Sequence, residues 1–240
     1  MIVMIDAHIH LGGPDKGDGK SLTQVQLISN MNVCGITKAV VFPFNQPHNA
    51  FSAANDHIAK AVREYPDRLI GFARLNPNDG AQALAELDRI YELGLKGIKL
   101  HPTAQDFTFD NTNLDKIAEK AAEYRLPLIF DAGKAQSRPE DLEKFALLHP
   151  DCAIIMAHMY GNFIHTLLAC PNVIVQTTAM LKSKIIVEAV EKIGADRIMM
   201  GSDYPYLNMC AEVKKIQDLD ITDWDKAYLF GKTAQLLIGV

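Results

Sequence analysis

Eight times along this chain a short apolar run gives way to a longer segment with helical spacing, and few folds accommodate that alternation. After an opening run at residues 1–5, the apolar stretches fall at 38–43, 68–75, 95–101, 126–131, 152–158, 172–177 and 197–203. They are mostly continuous rather than alternating, as parallel strands covered on both faces should be. Between them lie amphipathic segments at 21–33, 50–65, 81–93, 114–124, 139–148, 163–169 and 183–193, with further helices expected at 210–218 and 224–238. Ser21-Leu22-Thr23-Gln24 and Ser137-Arg138-Pro139-Glu140 read as capping boxes, and Gly35, Gly94 and Gly194 fall where helices should stop. Eight strand–helix units in 240 residues, with no Gly/Ser-rich linker, predict one α/β domain spanning 1–240, a closed (β/α)8 TIM barrel. An open doubly wound sheet competes, but no G-x-G-x-x-G opens a helix after any strand.

Charge and cysteine content narrow the partners. The 24 basic and 29 acidic residues leave a net charge of −5 with no long run of one sign, so neither nucleic acid nor an anionic membrane is expected. The apolar runs are too short to span a bilayer. Cys34, Cys152, Cys170 and Cys210 show no C-x-x-C spacing and sit among apolar residues or at element ends. They read as buried free thiols in a reducing compartment. With no charged and apolar leader before the first strand, a cytoplasmic protein is expected.

The first strand ends in Asp6-Ala7-His8-Ile9-His10, and Gly12, Gly13 and Pro14 stop it there. Alternate residues of a strand share a face, so His8 and His10 project together as half of a transition-metal site. An isolated His-x-His pair is more often two hydrogen-bonded histidines, so the metal reading needs support from elsewhere. In a barrel the active site lies at the C-terminal ends of the strands. There the polar residues collect: Lys99 and His101 after strand four, Asp131 after strand five, His158 after strand six and Asp203 after strand eight. Buried charges need partners, and a shared metal is the simplest partner for so many.

These stretches resemble the amidohydrolase superfamily of metal-dependent hydrolases, most closely its amidohydrolase-related branch. The matching segments are Asp6-Ala7-His8-Ile9-His10, Gly97-Ile98-Lys99-Leu100-His101-Pro102, Ala157-His158 and Gly201-Ser202-Asp203-Tyr204-Pro205. Tyr65-Pro66-Asp67-Arg68, Gly71-Phe72-Ala73 and Ala234-Gln235-Leu236-Leu237 support them, so the likeness runs through nearly the whole chain. The resemblance implies metal ligands at His8, His10 and Asp203, with His158 a ligand or a catalytic group. Dimers are common among such relatives, so a homodimer is an open expectation.

One position departs from the family pattern. Strand five normally ends there in a metal-binding histidine, whereas this chain has Asp131. As a ligand it would harden the site, setting manganese or iron beside zinc, the first expectation. Alternatively it pairs with Lys99 or Lys134 and binds no metal. Lys99-Leu100-His101-Pro102 is similar to the strand-four segment of dihydroorotases, where the lysine is carbamylated and bridges two metals. Unmodified, Lys99 would instead hold a substrate carboxylate or neutralise Asp131. The choice decides between one ion and two.

The expected chemistry is hydrolysis of a small, anionic ester, lactone or amide by a metal-activated water, with Asp203 and His158 catalytic. Lys99, His101, Arg74 and Tyr204 are the expected substrate contacts, Arg74 because a guanidinium grips a carboxylate bidentately. His48, Tyr160, Tyr206 and Lys134 are weaker candidates at the mouth. Residues 15–20 lack the spacing of a calcium loop and read as a flap over the site. His57, His149 and His165 read as structural. Two rivals stand beside hydrolysis: a metal-dependent decarboxylase of the same superfamily, disfavoured by the chain's short length, and a ligand-binding barrel without catalysis.

Overall fold

The computed structural model describes residues 3–47 and 51–240. Its strands are β1 (Ile5–Leu11), β2 (Lys38–Pro43), β3 (Leu69–Gly71), β4 (Ala73–Arg74), β5 (Ile98–Leu100), β6 (Leu128–Asp131), β7 (Ile154–Ala157), β8 (Val173–Gln176) and β9 (Ile198–Met199). The helices are α1 (Gln24–Cys34), α2 (Phe51–Glu64), α3 (Ala81–Glu92), α4 (Pro102–Gln105), α5 (Thr112–Glu123), α6 (Pro139–Leu148), α7 (Phe163–Ala169), α8 (Ser183–Ile193), α9 (Met209–Gln217), α10 (Asp223–Ala227) and α11 (Thr233–Ile238). This is the expected α/β barrel order, with α4 an added turn after β5.

All strand pairs are parallel, in two ladders: β1-β2-β3 and β4-β5-β6-β7-β8-β9. The expected third strand is broken at Phe72, whose N–H donates to Val41 O (2.8 Å) while Ala73 N–H donates to Gly97 O (2.8 Å). The chain thus leaves one ladder and joins the next within two residues. Gly97 permits the step, because a Cβ there would collide with the Phe72 ring. At the other seam, Ala7 N–H donates to Met200 O, Asp203 N–H to His8 O and His10 N–H to Tyr204 O, each at 2.9 Å. The ladders therefore do not form one continuous sheet: the chain itself crosses the first seam at Phe72, and three backbone hydrogen bonds span the second.

Two apolar layers follow from the strand pleat. Ile5, Ala7, Val40, Phe42, Ile70, Phe72, Ile129, Ile155, Ala157 and Met199 form one buried cluster with Ala234, and Leu237, Ile238 and Val240 pack against it. The C-terminal segment thus packs on the cluster that carries the N-terminal half of β1. The larger cluster lies between strands and helices and includes Leu27, Ile58, Leu87, Ile117, Phe145 and Ile216.

Several local expectations shift. The capping box of α1 is formed by Thr23 and Gln26, not Ser21 and Gln24. Leu22 still pairs antiparallel with Gly12, so the chain is extended until Thr23. At α6 no side chain caps the helix, and the Ser137 hydroxyl is buried without a partner among the described residues. Pro139 begins the helix as expected. The closing helix divides into α10, a π-turn over Tyr228–Lys232 and α11. Cys34 and Cys210 are not free thiols: they form a disulfide, with Cα atoms 4.8 Å apart, joining the end of α1 to α9. Their separation of 176 residues gave no spacing signal, because the pairing depends on how α1 and α9 pack. Cys152 and Cys170 are free and buried, so the disulfide removes two of the four thiols on which the expectation of a reducing compartment rested. Among the described residues no helix is long and apolar enough to cross a membrane.

Candidate metal centre

The end of β1 and the turn after β9 bring three ligand atoms together. His8 Nε2 lies 3.5 Å and His10 Nε2 3.2 Å from Asp203 Oδ1. One donor atom from each residue fits within 4.8 Å of the others, and these three form the one such group among the described residues. Two imidazoles and one carboxylate match the donors of a divalent transition ion. Asp203 reaches the group from a left-handed backbone (φ 62°), a conformation that costs a non-glycine residue energy. Gly201 lets that turn approach β1, since a Cβ would meet Thr178 Oγ1 at 2.5 Å and His8 Cβ at 2.9 Å.

Electrostatics favour ligand-ready forms. Burial pushes the His8 imidazole well below its ordinary value, and the charge on Lys99 adds to the effect. Burial also lowers His10. For Asp203 burial acts upward, but the hydrogen bond from His10 and the nearby imidazoles outweigh it and hold the carboxyl well below the usual range. Behind the group, Asp6 accepts the N–H of His8 (3.1 Å) and of Ser202 (2.9 Å), tying the two segments together. Its burial raises its own pKa to about 7.

A second polar group faces the first. Asp131 Oδ2 lies 3.1 Å from His158 Nε2 and 3.3 Å from His101 Nε2, and its Oδ1 lies 2.9 Å from Lys134 Nζ. Burial would raise this carboxyl, yet the hydrogen bond from His158 and the charges of His101 and Lys99 hold it well below the usual range. Asp131 is thus ion-paired with Lys134 and stands outside the compact ligand group. His158 also has φ 70°, and its Nδ1 faces the carbonyl of Thr178 at 3.2 Å. His101 Nδ1 accepts the N–H of Ala104, and burial pushes the ring down to about 3.

Two buried cations complete the mouth. Arg74 and Lys99 are register partners on β4 and β5, each 1% exposed. Arg74 Nη1 donates to Pro43 O (3.2 Å), while its Nε has no partner. Lys99 Nζ lies 3.5 Å from His8 Nε2 and 5.2 Å from the Phe42 ring centre. Neither cation makes an ion pair with a carboxylate among the described residues. Burial lowers Lys99 to about 8, with Arg74 adding to it, and lowers Arg74 to about 10.

A cavity of about 440 Å³ is lined among others by His10, Arg74, His101, Asp131, His158 and Asp203, while His8 and Lys99 lie outside its lining. Tyr160, Tyr206 and Lys134 also line it, and so do Asp15 and Gly17 from the loop expected to cover the site. Asp15 is held by the N–H groups of Gly17 (2.7 Å) and Asn45 (3.0 Å). Tyr204 departs from expectation: its side chain turns to α1, where its hydroxyl accepts from Asn30 (2.7 Å), and Tyr206 two residues on lines the mouth instead. His48 lies outside the described residues. His149 and His165 bond Asp115 and Glu143, away from the cavity. Gln176 was missed. It is fully buried at the end of β8 and bonds both Ala7 O and His8 Nδ1. The signal was present, since Gln176-Thr177-Thr178 ends an otherwise apolar run.

A model of the amidohydrolase family matches residues 5–240. No curated protein sequence matches the chain. Among solved structures, a 2,6-dihydroxybenzoate decarboxylase from Rhizobium superimposes with a TM-score of 0.83 at 18% identity, covering 100% of this chain and 99% of that one. A 5-carboxyvanillate decarboxylase from Sphingomonas paucimobilis gives 0.83 at 16% identity over 100% of both chains. A dihydroxybenzoic acid decarboxylase from a Polaromonas species, with bound manganese and 2-nitroresorcinol, gives 0.78 at 18% identity, over 100% of this chain and 97% of that one. At these identities the likeness establishes the fold.

Proposed function

The chain belongs to the amidohydrolase family, and from that premise we propose a divalent-metal-dependent lyase that removes the carboxyl group of a small aromatic or unsaturated acid as carbon dioxide. The observation that carries the carboxylate is the Arg74–Lys99 pair: two adjacent buried cations with no acidic partner among the described residues. Asp131 acts on both cations from beyond contact distance, but a buried charge with no contacting counter-charge is costly, so the pair favours an anion from outside. Decarboxylation is preferred over the hydrolysis expected from sequence because the similar solved structures include manganese-bound decarboxylases.

Held by His8, His10 and Asp203, a manganese or zinc ion would supply a Lewis acid that orients the substrate's oxygens. The remaining work falls to this chain's own residues. Arg74 and Lys99 bind and neutralise the carboxylate. His158 lies between the Thr178 carbonyl, which accepts from Nδ1–H, and Asp131 Oδ2, so the hydrogen at Nε2 is shared with that carboxylate, and both groups line the cavity. That proton passes to the carbon bearing the carboxylate. The bond to the carboxyl carbon then breaks, its electron pair returns to the carbon skeleton, and carbon dioxide leaves. Tyr206, Asp15 and Gly17 narrow the mouth against bulk water.

The test is direct. Protein loaded with manganese or zinc is offered hydroxybenzoates and unsaturated acids beside lactones, esters and amides. Carbon dioxide release from an acid is the expected result. Turnover of lactones or esters with no carbon dioxide from any acid would restore the hydrolase reading.

A further inference from the structure

We propose that Gln176 is a positioning residue: it fixes His8 as the Nδ1–H tautomer, which leaves the Nε2 lone pair facing the ligand group. The inference rests on the metal-centre reading above and concerns what prepares that centre.

The amide orientation of Gln176 is determined by its surroundings. Its Nε2 lies 2.6 Å from the carbonyl oxygen of Ala7, which can only accept, so the NH2 group must face it. A flipped amide would set two oxygens against each other at that distance. Gln176 Oε1 therefore faces His8 Nδ1, at 2.7 Å, as an acceptor. The imidazole must donate there, so Nδ1 carries the hydrogen. In the neutral ring Nε2 is then left with a lone pair.

A second contact agrees from the opposite edge of the ring. Lys99 Nζ, a donor, lies 3.5 Å from His8 Nε2 and fits a lone pair there. His8 is 1% exposed, so water has little access to either nitrogen. The ring is also confined by Phe42, edge-on at 4.9 Å. Without an acceptor at Nδ1, the carboxylate of Asp203, 3.5 Å from Nε2, would draw the hydrogen to the wrong nitrogen. Gln176 thus opposes the one local interaction that would spoil the ligand. Groups of this kind commonly change metal affinity by about 10–100-fold when removed.

The experiment separates tautomer from scaffold. Nitrogen-15 correlation spectra of metal-free protein, with His8 assigned through a His8→Asn variant, should show His8 protonated at Nδ1. Gln176→Leu removes the acceptor and should shift His8 toward the Nε2–H form. It should also weaken manganese binding by about 10–100-fold in a chelator competition. Gln176→Glu keeps an acceptor at Nδ1 but sets an oxygen against Ala7, so it should lower the melting temperature while retaining tautomer and affinity. A purely structural Gln176 predicts the reverse, with affinity following stability in both variants.

The proposal is overturned if wild-type His8 carries its hydrogen on Nε2, or if folded Gln176→Leu binds manganese within twofold of wild type. Should Gln176→Leu fail to fold, the wild-type spectrum and the Glu variant decide. A wild-type protein with the stated tautomer that takes up no metal would sink the metal-centre reading alone. Metal uptake with the reversed tautomer would sink the Gln176 assignment alone.

Discussion

Asp203 and Asp131 look alike in the sequence and differ in what surrounds them. Each ends or follows a barrel strand, each is largely buried, and each carboxylate oxygen lies between two imidazoles. Both are held below the ordinary carboxylate range despite burial. The difference is one cation. Lys134 sits 2.9 Å from Asp131 and supplies a contacting charge partner, whereas among the described residues the ion-pair contacts of Asp203 are with histidines that burial disfavours in their charged form. A carboxylate already paired with an ammonium has less to gain from a metal; one facing two neutral imidazoles has the most to gain. On the proposed function the two halves of the mouth divide the work: one would hold a cation, while the other holds a proton donor in place.

Substitution at the two aspartates is the sharpest way to break that division. Asp203→Asn should lower kcat by at least about 10³-fold and reduce metal retention, read by steady-state kinetics and elemental analysis. Asp131→Asn should cost about 10²-fold in kcat through the loss of His158 support while metal stoichiometry stays at wild type. Loss of metal from the Asp131 variant would erase the distinction and make Asp131 a ligand.

Arg74→Met sharpens the same contrast from the cationic side. It should raise KM for a carboxylate substrate by about 10–100-fold, equivalent to about 1.4–2.8 kcal/mol. The unliganded protein should melt no lower than wild type, because an unpaired buried charge is removed. A clear fall in melting temperature would mean that Arg74 is structural.

The pH effect is smaller. With Lys99 lowered to about 8, its charged form predominates below that pH and is lost above it. KM for an anionic substrate should therefore be flat below about pH 8 and rise several-fold above it, and Lys99→Arg should flatten the rise. The smallest effect belongs to Tyr204→Phe, whose hydroxyl bonds Asn30 outside the cavity, and kcat/KM should change less than about twofold.

Much of this architecture was legible before any coordinates. The span of β2 and those of α6, α7 and α8 coincide with the predicted segments, because continuous apolar runs and 3.6-residue periodicity report local burial directly. His8, His10 and Asp203 were nominated together and converge. Tyr204 was misplaced because its position in the turn does not reveal which way the side chain leaves it. Gln176 is marked in the sequence only as a polar residue ending an apolar run, and its two partners, Ala7 and His8, lie on a strand at the other end of the chain.

Taken alone, the sequence determined the order of the elements and which polar residues stand at the strand ends. Both follow from short-range sterics and from the periodicity with which a strand or helix presents its side chains. Only the tertiary structure decided who meets whom: His101 and His158 with Asp131, Gln176 with His8, Cys34 with Cys210, and two cations with no contacting carboxylate among the described residues. Those pairings join segments that approach only when the strands wrap round a common axis, and spacing along the chain does not encode such distances.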